Sequence, residues 1–214
     1  MSEKKNIAPS EKIKIIIIGD SGVGKTSIFT RFIYNKFEPH NIATTGIDFE
    51  SKIFKYKNKS FLITLYDTGG EERFRNITKN YYHMGEGIFI VFDLTNENSL
   101  ISIKNWVQSV LEENVDSKFI ILGNKDDLKD QISKEIIDEH LKDYKDRLYI
   151  KTSAKTNKNI KQAFEKMIGL ITGEEDYNNN GKKNSNKKNI NSERYNSFQL
   201  STKNVNKKTN ASCC

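Results

Sequence analysis

An apolar segment followed at once by a glycine-rich loop places the strongest constraint on how this chain can fold. Residues 13–18 are apolar apart from Lys14, and the sequence GDSGVGKT (residues 19–26, the phosphate loop) comes directly after them. The loop matches the pattern G-x-x-x-x-G-K-[ST] between a strand and a helix, the context typical of phosphate binding. Its N–H groups and the helix N-terminus are expected to surround phosphate oxygens, with Lys25 on the β- and γ-phosphates and the Thr26 hydroxyl on Mg²⁺. The expected contact residues of this segment are Ser21, Gly22, Val23, Gly24, Lys25, Thr26 and Ser27.

Strand and helix patterns alternate along the chain to about residue 173. Further strands are predicted at 46–56 and 61–66, which form a hairpin, and at 87–92, 118–122 and 147–150. Helices are predicted at 26–34, 99–113, 133–144 and 159–171, with Ser99 and Ser133 as N-caps. The alternation predicts an α/β fold with a six-stranded, mainly parallel sheet, one antiparallel strand and helices on both faces.

The formal net charge of +7 lies entirely in the last part of the chain. The segment from Lys182 to the end holds eight basic residues and one acidic residue, whereas residues 1–181 hold 27 of each kind. A neutral body argues against nucleic acid as a partner. Residues 174–214 are rich in Asn, Lys and Ser without a hydrophobic period, so we expect a flexible N-terminus at 1–9, a domain at 10–173 and a disordered basic tail at 174–214.

Cysteine usage and hydropathy indicate a chain that is made and folded in the cytosol. Both cysteines stand at the end, as Cys213 and Cys214, so no disulfide framework inside the domain is expected. No apolar run reaches the roughly 18 residues of a membrane span, and the first residues lack the apolar core of a secretion signal.

Two polar loops that follow predicted strands suggest which base is bound. The sequence NKDD (residues 124–127, the first base loop) follows one strand, and TSAK (residues 152–155, the second base loop) follows the next. The Asp127 carboxylate can accept both N1–H and the exocyclic amine of guanine, a donor pair that adenine lacks. A backbone N–H of the second loop could meet the guanine carbonyl, and the stems of Lys125 and Lys155 could cover the ring. The base contacts are therefore expected from Asn124, Lys125, Asp127, Ser153, Ala154 and Lys155.

Two further segments are expected to sense the γ-phosphate. Asp67 and Gly70 follow the second strand of the hairpin, where Asp67 can hold a water of Mg²⁺ and the Gly70 N–H can reach the γ-phosphate. Thr44 is expected to add a second hydroxyl ligand to Mg²⁺, with Thr45 as the alternative. Such loops order around the third phosphate and relax when it leaves, which predicts a switch.

Taken with these loops, the sequence resembles a Ras-superfamily small GTPase and specifically a Rab, over about residues 12–172. The resemblance rests on TGIDF (45–49), ERFR (72–75), IVFDLT (90–95) and the terminal Cys213-Cys214. It implies the small-GTPase fold with six strands and five helices, GTP/GDP and Mg²⁺ as cofactors, and a monomeric chain. It also implies that Phe37 packs edge-on against guanine and that Phe49, Tyr66 and Tyr81 form an aromatic effector surface. The implied partners are effectors, a guanine nucleotide exchange factor, a GTPase-activating protein, a GDP-dissociation inhibitor and a prenyltransferase escort.

The chain departs from the Rab pattern at the water-positioning residue. Where the family has Trp-Asp-Thr-Ala-Gly-Gln, residues 66–71 read YDTGGE, so Glu71 replaces the glutamine and Tyr66 the tryptophan. A carboxylate lacks the amide donor that would steady the transferring phosphoryl group, and its charge opposes the charge already there. We expect GTP hydrolysis with a slow intrinsic rate, in which Lys25, Thr44, Gly70 and Glu71 take part. One alternative is a GTP-locked binding scaffold. Another is a nucleoside kinase, which a test of ATP binding against GTP binding would exclude.

The two terminal cysteines are expected to carry lipids. No Cys-a-a-X box is present, because nothing follows Cys213 and Cys214, but the double-cysteine end resembles that of Rabs that receive two geranylgeranyl chains. Stable anchoring needs two lipid chains, or one chain plus a polybasic stretch, and this sequence offers both. We therefore expect a cytosolic pool and a lipid-anchored pool on the cytoplasmic leaflet of an intracellular membrane.

Overall fold

A six-stranded sheet forms the centre of the structure. The computed structural model describes residues 9, 11–39, 44, 46–69, 81–114, 116–129 and 131–174. Across the sheet the strands follow the order β2-β3-β1-β4-β5-β6, and the predicted α/β fold class is confirmed. In chain order the strands are β1 (Glu11–Gly19), β2 (Ile47–Tyr56), β3 (Lys59–Thr68), β4 (Gly87–Asp93), β5 (Phe119–Asn124) and β6 (Leu148–Lys151).

The hairpin of β2 and β3 supplies the antiparallel pair of the described sheet, as predicted. Its register pairs Phe54 with Phe61, and Lys57 in the tight turn adopts a left-handed φ of 52°. The remaining pairs are parallel, with β1 between β3 and β4. The described α-helices are α1 (Lys25–Tyr34), α2 (Glu97–Ile101), α3 (Ile103–Glu113), α4 (Lys134–His140) and α5 (Ile160–Thr172).

Two separate apolar cores cover the two faces of the sheet, because successive strand residues point to opposite faces. On β1, Ile13, Ile15 and Ile17 join the core that α1 and α5 cover. Ile16 and Ile18 join the other core, which packs against α2, α3 and α4. A strand covered on both faces needs an unbroken apolar sequence, and this explains the run at the start of the chain.

The prediction of one helix at 99–113 is wrong. The structure has two helices in this region, α2 and α3, and the first of them begins at Glu97. Asn96, and not Ser99, is the N-cap: its side chain accepts the N–H two residues further on at 3.1 Å. Ser99 lies inside α2 with its hydroxyl buried, and it accepts the N–H of Asp93 at 3.0 Å. The Ser99 hydroxyl therefore accepts a backbone N–H at the end of β4, and it does not cap the helix.

The helix predicted at 133–144 is only partly α-helical. The Ser133 cap is confirmed, because its side chain accepts the N–H of Ile136 at 3.4 Å. Helix α4 ends at His140, and a 3₁₀ turn at Lys142–Tyr144 continues the segment. None of the described helices is long and apolar enough to cross a membrane.

Glu174, the last described residue, is held at the β2–β3 turn. Its backbone carbonyl accepts hydrogen bonds from the Tyr56 hydroxyl at 3.2 Å and from Lys57 Nζ at 2.8 Å. Its carboxylate accepts one from Lys59 Nζ at 2.6 Å. Because β3 runs parallel to β1, this turn lies at the end of the sheet opposite to Gly19.

Removal of the observed cap tests the corrected start of α2. Asn96→Ala is expected to lower the free energy of unfolding by about 1 kcal/mol, because an orphan N–H of the first turn loses its acceptor. Asn98→Ala, at an exposed position of the same turn, is the matched control and is expected to change it by less than about 0.5 kcal/mol. Urea denaturation measures both, and an equal loss in the two variants would contradict this assignment.

Candidate nucleotide-binding site

A pocket of about 550 Å³ lies at the carboxyl ends of the parallel strands. Here the strand order reverses beside β1, which is where α/β sheets form ligand crevices. The phosphate loop, the segment after α1 and the two base loops contribute most of the walls. The lining residues are Ser21, Gly22, Gly24, Lys25, Thr26, Ser27, Phe37, Glu38, Pro39, Thr44, Thr68, Asn124, Lys125, Asp127, Leu128, Ala154 and Lys155.

Glycine is required in the phosphate loop for both conformation and space. Gly22 and Gly24 adopt left-handed φ angles of 76° and 96°. A Cβ on Gly24 would collide with the Asn124 side-chain amide. Gly24 is also the N-cap position of α1, so the first N–H groups of the helix lie beside the pocket. The N-terminus of a helix favours a bound anion.

Lys25 supplies a buried cation at this end of the pocket. It is 5% exposed, and its Nζ donates to the Asp20 carbonyl at 2.7 Å. Burial lowers the pKa of Lys25 to about 8, although the carboxylates of Asp67 and Asp20 oppose the shift. A phosphate group beside Nζ would favour the charged form, so the site is electrostatically suited to an anion.

Three oxygen-bearing side chains meet next to Lys25. The Thr26 hydroxyl donates to Asp67 Oδ2 at 2.7 Å, and the Thr44 hydroxyl lies 2.8 Å from that of Thr26 and 3.3 Å from Asp67 Oδ2. Burial raises the pKa of Asp67, which is 1% exposed. Its Oδ1 is buried and has no hydrogen-bond partner within the described part of the chain.

This oxygen cluster fits a magnesium ion. Mg²⁺ takes oxygen ligands, and a buried carboxylate oxygen without a partner is costly unless a cation or a cation-bound water meets it. Thr26 and Thr44 would offer their hydroxyls, and Asp67 would bind the ion or one of its waters.

The opposite end of the pocket presents the Asp127 carboxylate. Its Oδ1 accepts the Ser153 hydroxyl at 2.5 Å, and Lys155 Nζ lies 3.9 Å from its Oδ2. Each carboxylate oxygen has a second lone pair, so both can still accept N–H donors from a base. Lys125 Nζ pairs with Asp93 Oδ2 at 2.7 Å, which fixes the direction of the Lys125 stem along the pocket wall.

Asn124 connects three of the loops that form the site. It is 2% exposed, and its Nδ2 donates to the Val23 carbonyl of the phosphate loop at 3.0 Å. Its Oδ1 accepts the Ala154 N–H at 3.2 Å and the Thr152 hydroxyl at 3.4 Å, both in the second base loop. The side chain therefore sets the distance between the phosphate end and the base end of the pocket.

Most of the residues predicted for the site line this pocket, and a few lie elsewhere. Val23, Asp67 and Ser153 lie behind the lining, where each contacts a lining residue. Gly70 and Glu71, as well as Thr45, lie outside the described residues. The other predicted contacts line the pocket: Ser21, Gly22, Gly24, Lys25, Thr26, Ser27, Phe37, Thr44, Asn124, Lys125, Asp127, Ala154 and Lys155.

Sequence reasoning missed four lining residues and one polar contact. Glu38, Pro39, Thr68 and Leu128 line the pocket. The only sign of them in the sequence is that each stands within two positions of a predicted site residue. The contact joins Trp106 on α3 to the phosphate loop, where its Nε1 donates to Asp20 Oδ1 at 2.8 Å. No pattern in the sequence links these two positions.

Comparison with known proteins identifies the family. The sequence model of the Ras family matches residues 14–173. Similar relatives are the Ras-related protein Rab-8A of Bos taurus, 40% identical over 166 residues that cover 76% of this chain and 80% of that protein, and Rab-8B of Homo sapiens, 42% identical over 154 residues that cover 71% and 74%. The chain therefore belongs to the Ras family and is a GTPase of the Rab type. Proteins of this family bind GTP and GDP with Mg²⁺. This agrees with the buried Lys25 at the phosphate end, the oxygen cluster beside it and the Asp127 carboxylate at the base end of the pocket.

Truncation of Asn124 tests its role as the link between the loops. Asn124→Ala is expected to lower the free energy of unfolding by about 3 kcal/mol, since it leaves buried groups of two loops without a partner. It is also expected to release bound GDP at least about tenfold faster. Urea denaturation and the dissociation of a fluorescent GDP measure the two effects.

The matched control for this variant is Asn105→Ala, at an exposed position on α3. It is expected to change stability by less than about 0.5 kcal/mol and to leave GDP release as it is. A destabilised Asn124→Ala chain that kept the GDP release rate of the unaltered chain would contradict the linking role.

Proposed function

We propose that this chain is a membrane-anchored GTP/GDP switch that regulates vesicle traffic by recruiting effectors when GTP is bound. The observation that carries the proposal is the arrangement of one pocket. A buried cation and a helix N-terminus lie at one end, the Asp127 carboxylate lies at the other, and Asn124 joins the two. Groups that favour an anion and a carboxylate that can read guanine thus line one pocket, as binding of a guanine nucleotide requires.

Each end of the pocket has a defined task in this proposal. Lys25 and the phosphate-loop N–H groups bind the β- and γ-phosphates and stabilise their charge. Thr26, Thr44 and Asp67 would hold Mg²⁺, which would supply positive charge against the phosphates. Asp127 selects guanine, Phe37 packs edge-on against the base, and the stems of Lys125 and Lys155 cover the ring.

Hydrolysis depends in this proposal on Gly70 and Glu71. Gly70 contacts the γ-phosphate through its N–H, and Glu71 stands where the attacking water is oriented. A carboxylate can accept a hydrogen bond from that water but cannot donate one to the phosphoryl group. The intrinsic rate is therefore slow, and a GTPase-activating protein that brings its own glutamine and arginine would raise it. The alternative function is a scaffold that stays locked with GTP.

Effector recruitment is proposed to use an aromatic surface formed by Phe49, Tyr66 and Tyr81. The ring centroids of Phe49 and Tyr66 are 5.6 Å apart, and those of Tyr66 and Tyr81 are 6.1 Å apart. Phe49 is 63% exposed although it is large and apolar. A cluster of contacting aromatic rings with an exposed member is typical of protein-binding surfaces. Tyr66 is smaller than the tryptophan of the Rab pattern, so the preferred effectors are proposed to differ from those of other Rabs.

Membrane anchoring is proposed to use the tail. In this proposal the body at 10–173 carries the switch, and the basic segment at 174–214 serves as a tether that starts from Glu174 at the β2–β3 turn. Cys213 and Cys214, which lie outside the described residues, would carry geranylgeranyl chains. The lipids supply most of the binding to the cytoplasmic leaflet, and the basic residues bias the choice towards anionic membranes. Delivery and recycling would involve the prenyltransferase escort and the GDP-dissociation inhibitor, and the exchange factor would reload GTP.

Exchange of Glu71 for glutamine tests the proposed slow hydrolysis. Single-turnover hydrolysis of bound GTP is expected to be about tenfold faster in Glu71→Gln, because the amide donor is restored and a negative charge is removed. Glu72→Gln, the same change one residue later, is the control and is expected to hydrolyse at the unaltered rate. A glutamine variant no faster than the unaltered chain would refute the role of Glu71. No phosphate released from the unaltered chain over hours would favour the scaffold.

Localisation tests the proposed anchor. A fluorescently tagged chain with Cys213→Ser and Cys214→Ser is expected to lose its membrane pool, because no lipid can be attached. Each single replacement keeps one chain beside the basic tail and is expected to retain a membrane pool, smaller than that of the unaltered chain. Ser212→Ala is the control that keeps both thiols. Mass spectrometry of the unaltered protein from its own cells checks the modification, and unmodified cysteines would refute the anchor.

A further inference from the structure

Arg31, in the last turn of α1, contacts the second base loop, which lines the pocket, and Asn35, two residues before the lining residue Phe37. The Arg31 side chain does not line the pocket itself. Its guanidinium nevertheless donates to backbone carbonyls on either side of the base end, at Asn35, Ala154 and Lys155. These contacts make Arg31 a candidate for a residue that acts on the bound base through other residues.

The first set of contacts is on the second base loop. Arg31 Nε donates to the Ala154 carbonyl at 2.8 Å, and Nη2 donates to the Lys155 carbonyl at 3.0 Å. The N–H of Ala154 is already bound to Asn124 on the other side. The loop is thus held from the core by Asn124 and from the surface by Arg31.

The second set of contacts is at the end of α1. Arg31 Nη1 donates to the Asn35 carbonyl at 2.9 Å and lies 3.4 Å from Asn35 Oδ1. The Asn35 N–H in turn donates to the Arg31 carbonyl at 3.0 Å, and Asn35 has the left-handed φ of 55° that ends the helix. Two residues later Phe37 lines the pocket and packs against the core. The direction in which the chain leaves α1 towards Phe37 is therefore set by Arg31.

We propose that Arg31 is a positioning residue that holds both walls of the base pocket in register and thereby limits the release of guanine nucleotide. One wall is the second base loop, whose Ser153 hydroxyl binds Asp127. The other is the segment from Asn35 to Phe37. Release of the base requires the walls to separate, and Arg31 bridges them with charge-assisted hydrogen bonds. The proposal rests on the proposed binding of guanine nucleotide in this pocket.

The geometry requires arginine and not only a positive charge. Two nitrogens of the planar guanidinium reach successive carbonyls of one loop while the third reaches another segment. A lysine ammonium is a single point charge and cannot span these positions at once. Arg31→Lys would therefore keep the charge and lose the bridge, so this variant separates the two effects.

The test measures the release of GDP and of inosine diphosphate, which lacks the exocyclic amine that Asp127 is proposed to read. Arg31→Lys is expected to release GDP about tenfold faster, since the bridge between the walls is lost. Inosine diphosphate is expected to leave only about threefold faster. It has no exocyclic amine on Asp127, so it cannot lose that contact when the bridge is removed. A purely structural weakening would change both rates by the same factor. Arg31→Gln, which loses the charge as well, is expected to give the same pattern and serves as the second variant.

Arg147→Lys is the matched control. This arginine lies over the Phe119 ring at 4.5 Å, away from the pocket, and its Nη1 donates to the Ser117 carbonyl at 3.4 Å. It is expected to release GDP at the unaltered rate. Equal acceleration in Arg147→Lys, unchanged release in both Arg31 variants, or equal acceleration of the two nucleotides would overturn the proposal. An unaltered chain that binds no GDP would overturn the proposed function instead, and this proposal with it.

Discussion

The buried amide of Asn124 is the interaction on which the pocket depends. Its donor side binds a carbonyl 101 positions earlier in the chain, and its acceptor side binds an N–H 30 positions later. A buried amide with its partners satisfied costs little, whereas each lost partner would leave a polar group unpaired in the core. Gly24 is part of the same constraint, because any side chain there would displace the amide. The phosphate end and the base end are thus parts of one hydrogen-bonded unit.

Lys25 and Asp67, at the phosphate end of the pocket, need a bound ligand to stabilise their charged forms. Burial moves the pKa of Lys25 downwards and that of Asp67 upwards, so each shifts towards its neutral form. A ligand that brings phosphate anions together with a divalent cation compensates both costs at once. The phosphate would favour the charged form of Lys25, and the cation would favour the charged form of Asp67.

Sequence patterns predicted the parts of the fold that depend on local chemistry. The strands are predictable because β1 and its neighbours are covered on both faces and need continuous apolar residues. The phosphate loop is predictable because its glycines and Lys25 have a fixed spacing. The N-cap at Ser99 was predicted wrongly, since the strand end at Asp93 uses the hydroxyl that a local rule assigns to the helix. The Arg31 bridge and the contact of Trp106 with Asp20 join residues 123 and 86 positions apart. Such pairs arise from tertiary packing, and one sequence carries no periodic signal for them.

The contact of Glu174 with the β2–β3 turn lies at the end of the sheet opposite to the nucleotide pocket. The pocket lies where β1 ends, and Glu174 is held where β1 begins. The nine residues of β1 separate these places by roughly 30 Å. None of the described side chains that hold Glu174 lines the pocket, so this contact can change without rebuilding the nucleotide site. The fold therefore lets substitutions at the β2–β3 turn and substitutions in the nucleotide pocket accumulate independently.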